Sequence, residues 1–236
     1  MQGLLELPDA RGTRSVGKVQ EKASPLGLGV ILWDGYQVTF WCYFCYNKSI
    51  KRLEGFDMKP RGPLMIEHRL IEKMLNVATT ELDNIKNGNK LNSSLINIII
   101  DFIKTYGDRT HHGKEEDILF KELMNKALIE SDRNIMEELI REHIEVRKAV
   151  VDLYLANKQY ENGDTSMVKI IYEKLFFLTQ FYPAHIKKED NVFFPETEKY
   201  FNAEEQEKIL NEFREFDRKI IHEKYNQIYE SLEALL

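Results

Sequence analysis

Residues 111–120 read His-His-Gly-Lys-Glu-Glu-Asp-Ile-Leu-Phe, and residues 185–194 repeat this motif in altered form as His-Ile-Lys-Lys-Glu-Asp-Asn-Val-Phe-Phe. The two decapeptides share His, Lys, Glu and Phe at the same offsets, and four other positions differ only by Glu/Asp, Asp/Asn, Ile/Val and Leu/Phe. In both copies a His precedes a Glu by four residues. On a helix this spacing puts the imidazole and the carboxylate one turn apart on the same face, where both can reach one metal ion.

The decapeptides belong to a longer repeat. His68 lies 75 residues before His143, and His111 lies 74 residues before His185. A Glu precedes both His68 and His143. Apolar residues spaced by three and four share a line with each of these histidines, which predicts four amphipathic helices with the histidines on their inner faces. Two such helical hairpins with short connections pack most simply as an all-α, up-down four-helix bundle.

Proline, glycine and capping residues set the expected helix boundaries. The sequence predicts a first helix from Pro63 to about 87, a second over about 91–125, a third with Ser131 as N-cap, a fourth after Gly163 and a fifth over about 203–235. Pro183 is expected to kink the fourth helix just before its histidine. The fifth helix is amphipathic and is expected to pack against the outside of the other four.

Composition separates residues 1–60 from the bundle domain expected over 61–236. The first part holds most of the glycines, both tryptophans and both cysteines, whereas all six histidines follow it. A strand-like run over 29–46 fits a flexible extension or a small β-rich appendage. Native translation from Met58 is a further hypothesis, because Met58-Lys-Pro-Arg-Gly-Pro leads directly into the first helix.

Charge and composition exclude several classes of protein. The 236 residues carry a net charge of −6, which argues against a nucleic-acid-binding surface. The amino terminus lacks the features of a signal peptide, and the apolar runs are too short to span a membrane. Cys42 and Cys45 offer no disulfide framework, so a reducing cytoplasm is the expected compartment. They could be half a zinc site or a redox pair, but two ordinary thiols are the simpler interpretation.

Four histidines and two glutamates collect on the inner faces of the predicted bundle: His68, His111, Glu115, His143, His185 and Glu189. Buried carboxylates without partners are costly, and a pair of divalent cations removes that cost. Mixed nitrogen and oxygen ligation suits iron, manganese or zinc. Six side chains spread over two ions leave room for further ligands, which favours a pair of iron ions that binds a small molecule over closed structural zinc.

His112 is an alternative ligand to His111, because His112 and Glu116 have the same four-residue spacing one step round the helix. Alignment with the second decapeptide favours His111. Tyr182 lies one turn before the fourth-helix histidine, where it could donate a hydrogen bond toward a bound ligand or fill the core. His222 has no matching partner and is interpreted as structural or exposed.

Four charged residues of the two motifs are expected to form solvated charge at the end of the bundle, with support of the metal ligands as the lesser alternative: Lys114, Glu116, Lys187 and Lys188.

The segment from His68 to Glu189 resembles the hemerythrin-like HHE cation-binding family, through the paired His-x-x-x-Glu motifs and the two solitary histidines. The likeness covers about 62–201, and 114–120 and 189–195 are similar to the branch that includes bacterial iron-sulfur cluster repair proteins. The resemblance implies a non-haem di-iron centre, bridged by two glutamates and an oxo or hydroxo group, that binds dioxygen or nitric oxide. The ligands that it implies are the six residues collected above.

Two departures from the family pattern bear on function. Invertebrate oxygen carriers use an extra His in the third helix and an Asp ligand after the fourth-helix His, but Arg147 stands four residues after His143. This argues against reversible oxygen transport. The repair proteins usually carry an amino-terminal domain with Cys, which residues 1–60 do not convincingly match.

The leading hypothesis is therefore a di-iron protein that binds dioxygen or nitric oxide for sensing, scavenging or oxygen handling, without a separate catalytic base. One alternative is iron-sulfur cluster repair, iron donation, or reduction of nitric oxide or peroxide. A second is a metal-stabilised module that binds a protein partner. The sequence leaves the reductase, the oligomeric state and the physiological gas open.

The hypothesis of native translation from Met58 predicts the mass of the protein in its own cell. Intact-mass measurement should then find a chain that begins at Met58 or directly after it. A mass that corresponds to all 236 residues would contradict the hypothesis.

Overall fold

The computed structural model describes the backbone of residues 59–233 and of five short strands before them, and the side chains of residues 59–220. The chain divides into two units, Met1–Met58 and Lys59–Leu236.

The described residues of the first unit are the strands of two antiparallel sheets. The strands are β1 (Leu7–Pro8) paired with β2 (Arg14–Ser15), and β3 (Lys22–Ala23), β4 (Gly29–Trp33) and β5 (Tyr36–Thr39) in the order β3-β4-β5. In the β4-β5 pair, Ile31 lies opposite Val38. Both strands fall within the strand-like run at 29–46, whereas Cys42 and Cys45 lie outside the described residues.

The second unit is a helical bundle. Its α-helices are α1 (Arg61–Lys86), α2 (Ser93–Phe102), α3 (Lys121–Met124), α4 (Glu130–Glu161), α5 (Val168–Lys188), α6 (Phe194–Thr197) and α7 (Ala203–Glu233). Three π-helical segments, Ile103–His112, Glu115–Phe120 and Glu189–Phe193, and two 3-10 turns, Thr165–Met167 and Glu198–Tyr200, complete it. The four bundle helices are therefore α1, residues 93–124, α4 and residues 168–200, and α7 is the fifth long helix.

The bundle helices pack in a closed square. α1 and α4 both pack against α5, and the second bundle helix packs against α1 and α4. This is the up-down four-helix bundle that the repeat predicts, and that prediction is confirmed. Within the described residues, no helix has the length and hydrophobicity of a membrane-spanning segment.

Two clusters of buried apolar residues fill the core. One includes Leu75, Ile96, Leu153 and Leu175, and the other includes Leu64, Phe120, Leu139 and Phe193. On each bundle helix, the repeat histidine separates residues of the first cluster from residues of the second, with Ile186 as the exception. The histidines therefore occupy a polar layer between two apolar layers.

Local side-chain chemistry sets the helix ends, and one predicted helix cap is wrong. The side chain of Asn92 caps α2 by accepting a hydrogen bond from the amide of Leu95 at 3.1 Å. The prediction that Ser131 is the N-cap of α4 is wrong, because the helix begins at Glu130, after an extended Ile129. The Ser131 hydroxyl instead donates to Asp132 at 3.2 Å.

The connections between helices use two glycines with positive φ. Gly88 (φ 79°) ends α1, and Gly163 (φ 102°) ends α4, a conformation that other residues rarely adopt. Pro183 lies inside α5, which continues to Lys188 without a break. The kink expected at Pro183 stays a prediction.

The fifth helix packs on the outside of the bundle, as predicted. Ile209 and Phe213 of α7 are buried in the cluster that contains Phe120. One turn further on, the Phe216 ring approaches Gly113 so closely that a Cβ added there would lie 2.7 Å from the ring. Gly113 therefore sets how closely α7 can approach the second bundle helix.

We expect Gly113→Ala to lower the free energy of unfolding by about 1–3 kcal/mol, because the added methyl group displaces the Phe216 ring. Gly107→Ala is the matched control, since a Cβ there makes only an ordinary contact of 3.4 Å with the Tyr182 hydroxyl. The control should be neutral or gain about 0.5–1 kcal/mol from helix propensity. Denaturant titration of both variants checks the signs, and equal stability of the two would contradict this account.

Candidate metal centre

The π-helical segments explain how neighbouring histidines reach one site. Hydrogen bonds from i to i+5 widen the helix turn, so successive side chains are separated by a smaller angle than in an α-helix. His111 and His112 close the first π segment, and both are buried. From the sequence, His111 and His112 were alternative metal ligands, whereas the structure buries both side chains in the core.

All six predicted ligands and His112 come together in the polar layer, and none exposes more than 2 % of its surface. They form two groups whose ligand atoms lie within 4.8 Å of one another. The four-ligand group is His68, His111, Glu115 and Glu189, and the three-histidine group is His112, His143 and His185.

Glu115 and Glu189 each extend from one group to the other. One oxygen of each carboxylate faces a histidine of the four-ligand group, and its other oxygen faces the three-histidine group. The Nε2–Oε distances are 3.4 Å for His111–Glu115, 3.5 Å for His143–Glu115, 3.2 Å for His68–Glu189 and 3.3 Å for His185–Glu189. This is the arrangement of two carboxylates that bridge a pair of ions in a helical bundle.

The Nε2 atoms of His143 and His185 lie 3.2 Å apart, within hydrogen-bond distance, but the other polar atoms that face the centre lack hydrogen-bond partners. These buried atoms are the Nε2 of His68, His111 and His112 and all four carboxylate oxygens of Glu115 and Glu189. Buried polar atoms are normally satisfied, and unpaired carboxylates in an apolar core are costly. Cations placed between them would satisfy these atoms, so the residues fit a pair of metal ions.

The other ring nitrogen of each of the five metal-facing histidines lies against a carboxylate. The Nδ1–carboxylate distances are 2.7 Å for His68–Asp190, 3.0 Å for His111–Glu67, 3.4 Å for His112–Asp108, 2.6 Å for His143–Glu116 and 2.7 Å for His185–Glu142. An ionised carboxylate only accepts, so each Nδ1 carries the proton and donates it. The Nε2 lone pair is then directed at the centre, which is the tautomer that a metal requires.

The repeat extends to these orienting carboxylates. Glu67 in α1 accepts from His111 in the second bundle helix. Its repeat counterpart, Glu142 in α4, accepts from His185 in the fourth. In each hairpin, the histidine of the Glu-His dipeptide therefore faces the centre. The glutamate before it orients the histidine of the next helix.

The acidic residue that follows each bridging glutamate accepts a hydrogen bond from a histidine of another bundle helix. Glu116 accepts from His143, and Asp190 accepts from His68. The last residue of each decapeptide repeats the same pairing: the Phe120 ring stacks on His143 with centroids 6.2 Å apart. Phe194 stacks on His68 with centroids 6.0 Å apart.

Each orienting carboxylate is itself paired with a cation. Lys114 donates to Glu67, Lys188 to Glu142 at 2.5 Å, Arg69 to Asp190, and Arg147 to both Asp108 and Glu116 at 2.7 and 2.8 Å. Three residues expected to form solvated charge therefore support the ligands instead: Lys114, Glu116 and Lys188. Only Lys187 is exposed as predicted.

Arg147 occupies a place that a histidine ligand takes in the invertebrate oxygen carriers. In this chain the guanidinium is a bridge between the carboxylates that hold His112 and His143. The fifth imidazole comes from His112, in the second bundle helix. His112 has no counterpart in the second decapeptide, where Ile186 stands, and this is why the repeat did not identify it.

Burial controls protonation in the metal-free centre. Burial and neighbouring histidines lower the pKa of His111 and of His112, so both are neutral. Burial and the charge of Glu189 raise the pKa of Glu115. Burial also opposes the charged form of His68, but its carboxylate neighbours prevail and raise its pKa to about 9. Metal binding must therefore displace protons from the centre.

The family model of the hemerythrin HHE cation-binding domain matches residues 63–197. That range contains every member of both groups. The chain belongs to the hemerythrin HHE family. Cation binding is the property by which this family is described, and the two groups of buried ligands agree with it. The match is to the hemerythrin HHE family as a whole and does not single out the cluster-repair branch. No curated protein matches the chain significantly.

The two groups predict distinct effects for adjacent substitutions. His112→Ala should weaken one ion of the pair by at least tenfold, because it removes one of three imidazoles from the three-histidine group. His111→Ala should weaken the other ion. Titration of the metal-free protein with cobalt(II), followed by absorption and metal analysis, distinguishes the two losses. Wild-type binding of both ions by the His112→Ala variant would exclude His112 as a ligand.

Proposed function

We propose that the protein is a non-haem di-iron protein that binds dioxygen or nitric oxide. The observation that carries the proposal is the unequal supply of ligands to the two ion positions. Three imidazoles and one oxygen from each of Glu115 and Glu189 would hold one ion, and two imidazoles with the other two oxygens would hold the second.

Unequal ligation supports the binding of an external ligand. An octahedral ion with five protein ligands has one further position, whereas an ion with four has two. A structural site closes its coordination shell with protein atoms, and a reactive site keeps a position open. The ion of the four-ligand group is therefore the expected binding position, which is the reason to prefer this function to a metal-stabilised interaction module.

The chemistry of the donors supports iron. Imidazole nitrogen and carboxylate oxygen suit divalent iron, and no thiolate occurs among the ligands of the described residues. When bound, the two ions supply redox chemistry and the open coordination positions. The chain supplies orientation of the ligands through the Nδ1 hydrogen bonds and a dry surrounding through Phe120 and Phe194.

Burial supports a small ligand. The seven metal-facing side chains are almost completely inaccessible, so a substrate of ordinary size cannot contact the ions without movement of the helices. A diatomic molecule can reach such a centre through fluctuations of the packing. The burial of the metal-facing side chains thus favours dioxygen or nitric oxide over a larger substrate.

Tyr182 supports the same proposal. Its hydroxyl is buried, has no hydrogen-bond partner in the described part of the chain, and lies next to the backbone of Gly107. The ring lies 6.4 Å from His112 and 6.5 Å from His185, measured between centroids. Burial raises the pKa of Tyr182, so the phenol keeps its proton. A polar ligand or a water molecule in this layer would provide the missing acceptor.

Anaerobic loading with ferrous iron tests the proposal. We expect about two iron ions per chain. Exposure to dioxygen or nitric oxide should then change the optical and Mössbauer spectra, with the two iron sites distinguishable because their ligand sets differ. Tyr182→Phe should speed ligand dissociation about tenfold through loss of one hydrogen bond. Tyr172→Phe, a tyrosine of the same helix away from the ligands, is the control.

The alternatives give different results in the same samples. Spectra that do not respond to either gas would contradict the proposal and favour a structural metal site. Consumption of nitric oxide or peroxide over many cycles would instead favour an enzyme. Transfer of iron from the loaded protein to a damaged iron-sulfur cluster would favour the repair function.

A further inference from the structure

Lys114 is the most deeply buried cation among the residues that support the ligands. Its side chain is 0 % exposed, and its ammonium group donates to Glu67 and to Asp217, the latter at 2.9 Å. Lys114 also lies over the ring of Phe213, 5.9 Å from the centroid. A buried ammonium group needs such partners, because an unpaired one would lose its charge or its position.

Asp217 belongs to α7, which lies beyond the residues 63–197 that the hemerythrin HHE family model matches. The hydrogen bonds run without a gap from this helix to a metal-facing histidine: Asp217 accepts from Lys114, Lys114 donates to Glu67, and Glu67 accepts from the Nδ1 of His111. An element outside the matched domain therefore contacts the support of a predicted ligand.

The internal repeat provides a comparison within the same chain. Lys188 stands where Lys114 stands, three residues after the histidine of its motif, and pairs with Glu142. However, Lys188 is 24 % exposed, and its second carboxylate, Glu138, is 49 % exposed and belongs to a bundle helix. Water can replace Glu138 around Lys188, but α7 excludes water from Lys114. The two halves of the centre thus differ in what holds the orienting glutamate.

We propose that Asp217 is a positioning residue for the metal centre: through Lys114 and Glu67 it fixes the imidazole of His111 in the four-ligand group. The inference rests on the proposed di-iron function only in so far as that group holds a metal ion. His111 is one of only two imidazoles in the group, so a change in its orientation affects half of the nitrogen ligands. Docking of α7 is then part of the metal site.

The close approach of α7 supports this role. Phe216, the neighbour of Asp217, packs against Gly113, the neighbour of Lys114. The contact leaves no space for a side chain at Gly113 and holds the Asp217 carboxylate over the ammonium group. α7 is also tied to the bundle elsewhere, by Lys208 donating to Glu122 at 2.8 Å. Lys208 and Glu122 contact no metal-facing residue. A substitution there therefore tests docking of α7 independently of the positioning of the metal ligand.

The rate of metal release to a chelator tests the proposal in the full chain loaded with cobalt(II). Two phases are expected, one for each ion. Asp217→Asn should accelerate one phase about tenfold, the size of effect typical for residues that orient a metal ligand. Asp217→Glu, which keeps the carboxylate, should restore the rate to within about threefold of the wild type. The visible spectrum identifies the ion whose nitrogen ligation changes.

Two matched controls accompany these variants. Glu138→Gln removes the equivalent partner of Lys188, and Lys208→Met removes the tie between α7 and Glu122. Both variants should release metal at nearly the wild-type rate. Thermal unfolding of the metal-free proteins verifies that each variant folds. The proposal is overturned if Asp217→Asn leaves both phases unchanged, if it accelerates both equally, or if Lys208→Met has the same effect.

Failure of the proposed function would be distinguishable from failure of this inference. Metal release is measured without dioxygen or nitric oxide. A wild-type protein that binds two ions but neither gas would refute gas binding, while the ranking of the variants would still decide the role of Asp217.

Discussion

The structure depends on the burial of two carboxylates that no other protein group satisfies. Glu115 and Glu189 are fully inaccessible, and none of their four oxygens has a hydrogen-bond partner within the described residues. An ionised carboxylate left unpaired in such a core costs several kcal/mol, so in the metal-free protein the layer holds protons on groups such as Glu115 and His68. Cations bound between the carboxylates would take the place of those protons, so metal binding would add to the stability of the polar layer.

Most positions of the repeated decapeptide help to build the site around those two carboxylates. The histidine faces the metal position, the lysine three residues later pairs with an orienting glutamate, and the next residue is the bridging glutamate. The acidic residue after it orients a histidine across the bundle, and the final phenylalanine stacks on the same imidazole. A duplicated helical hairpin thus supplies two half-sites, and His112 adds an imidazole that has no counterpart in the second decapeptide. Under the proposed function, that asymmetry would leave the two ions with unequal numbers of open positions.

Periodicity and repeat spacing were sufficient to predict the bundle, and the family match and the helices confirm that part. The six predicted ligands lie together in the structure, although their binding of metal stays a prediction. His111 was preferred to His112 because the second decapeptide has Ile186 in the place of His112, and the sequence gives no sign of the π segment that brings both histidines into the core. Lys114 was expected at the surface because the contact that buries it comes from Asp217, 103 residues later in the chain.

The central claim is that two metal ions lie together in the polar layer, bridged by Glu115 and Glu189. X-ray absorption spectroscopy of the iron-loaded protein tests it most directly. The account predicts nitrogen and oxygen neighbours around iron and a second iron at about 3.5–4 Å. An iron environment with no metal neighbour, or one dominated by sulfur, would contradict it.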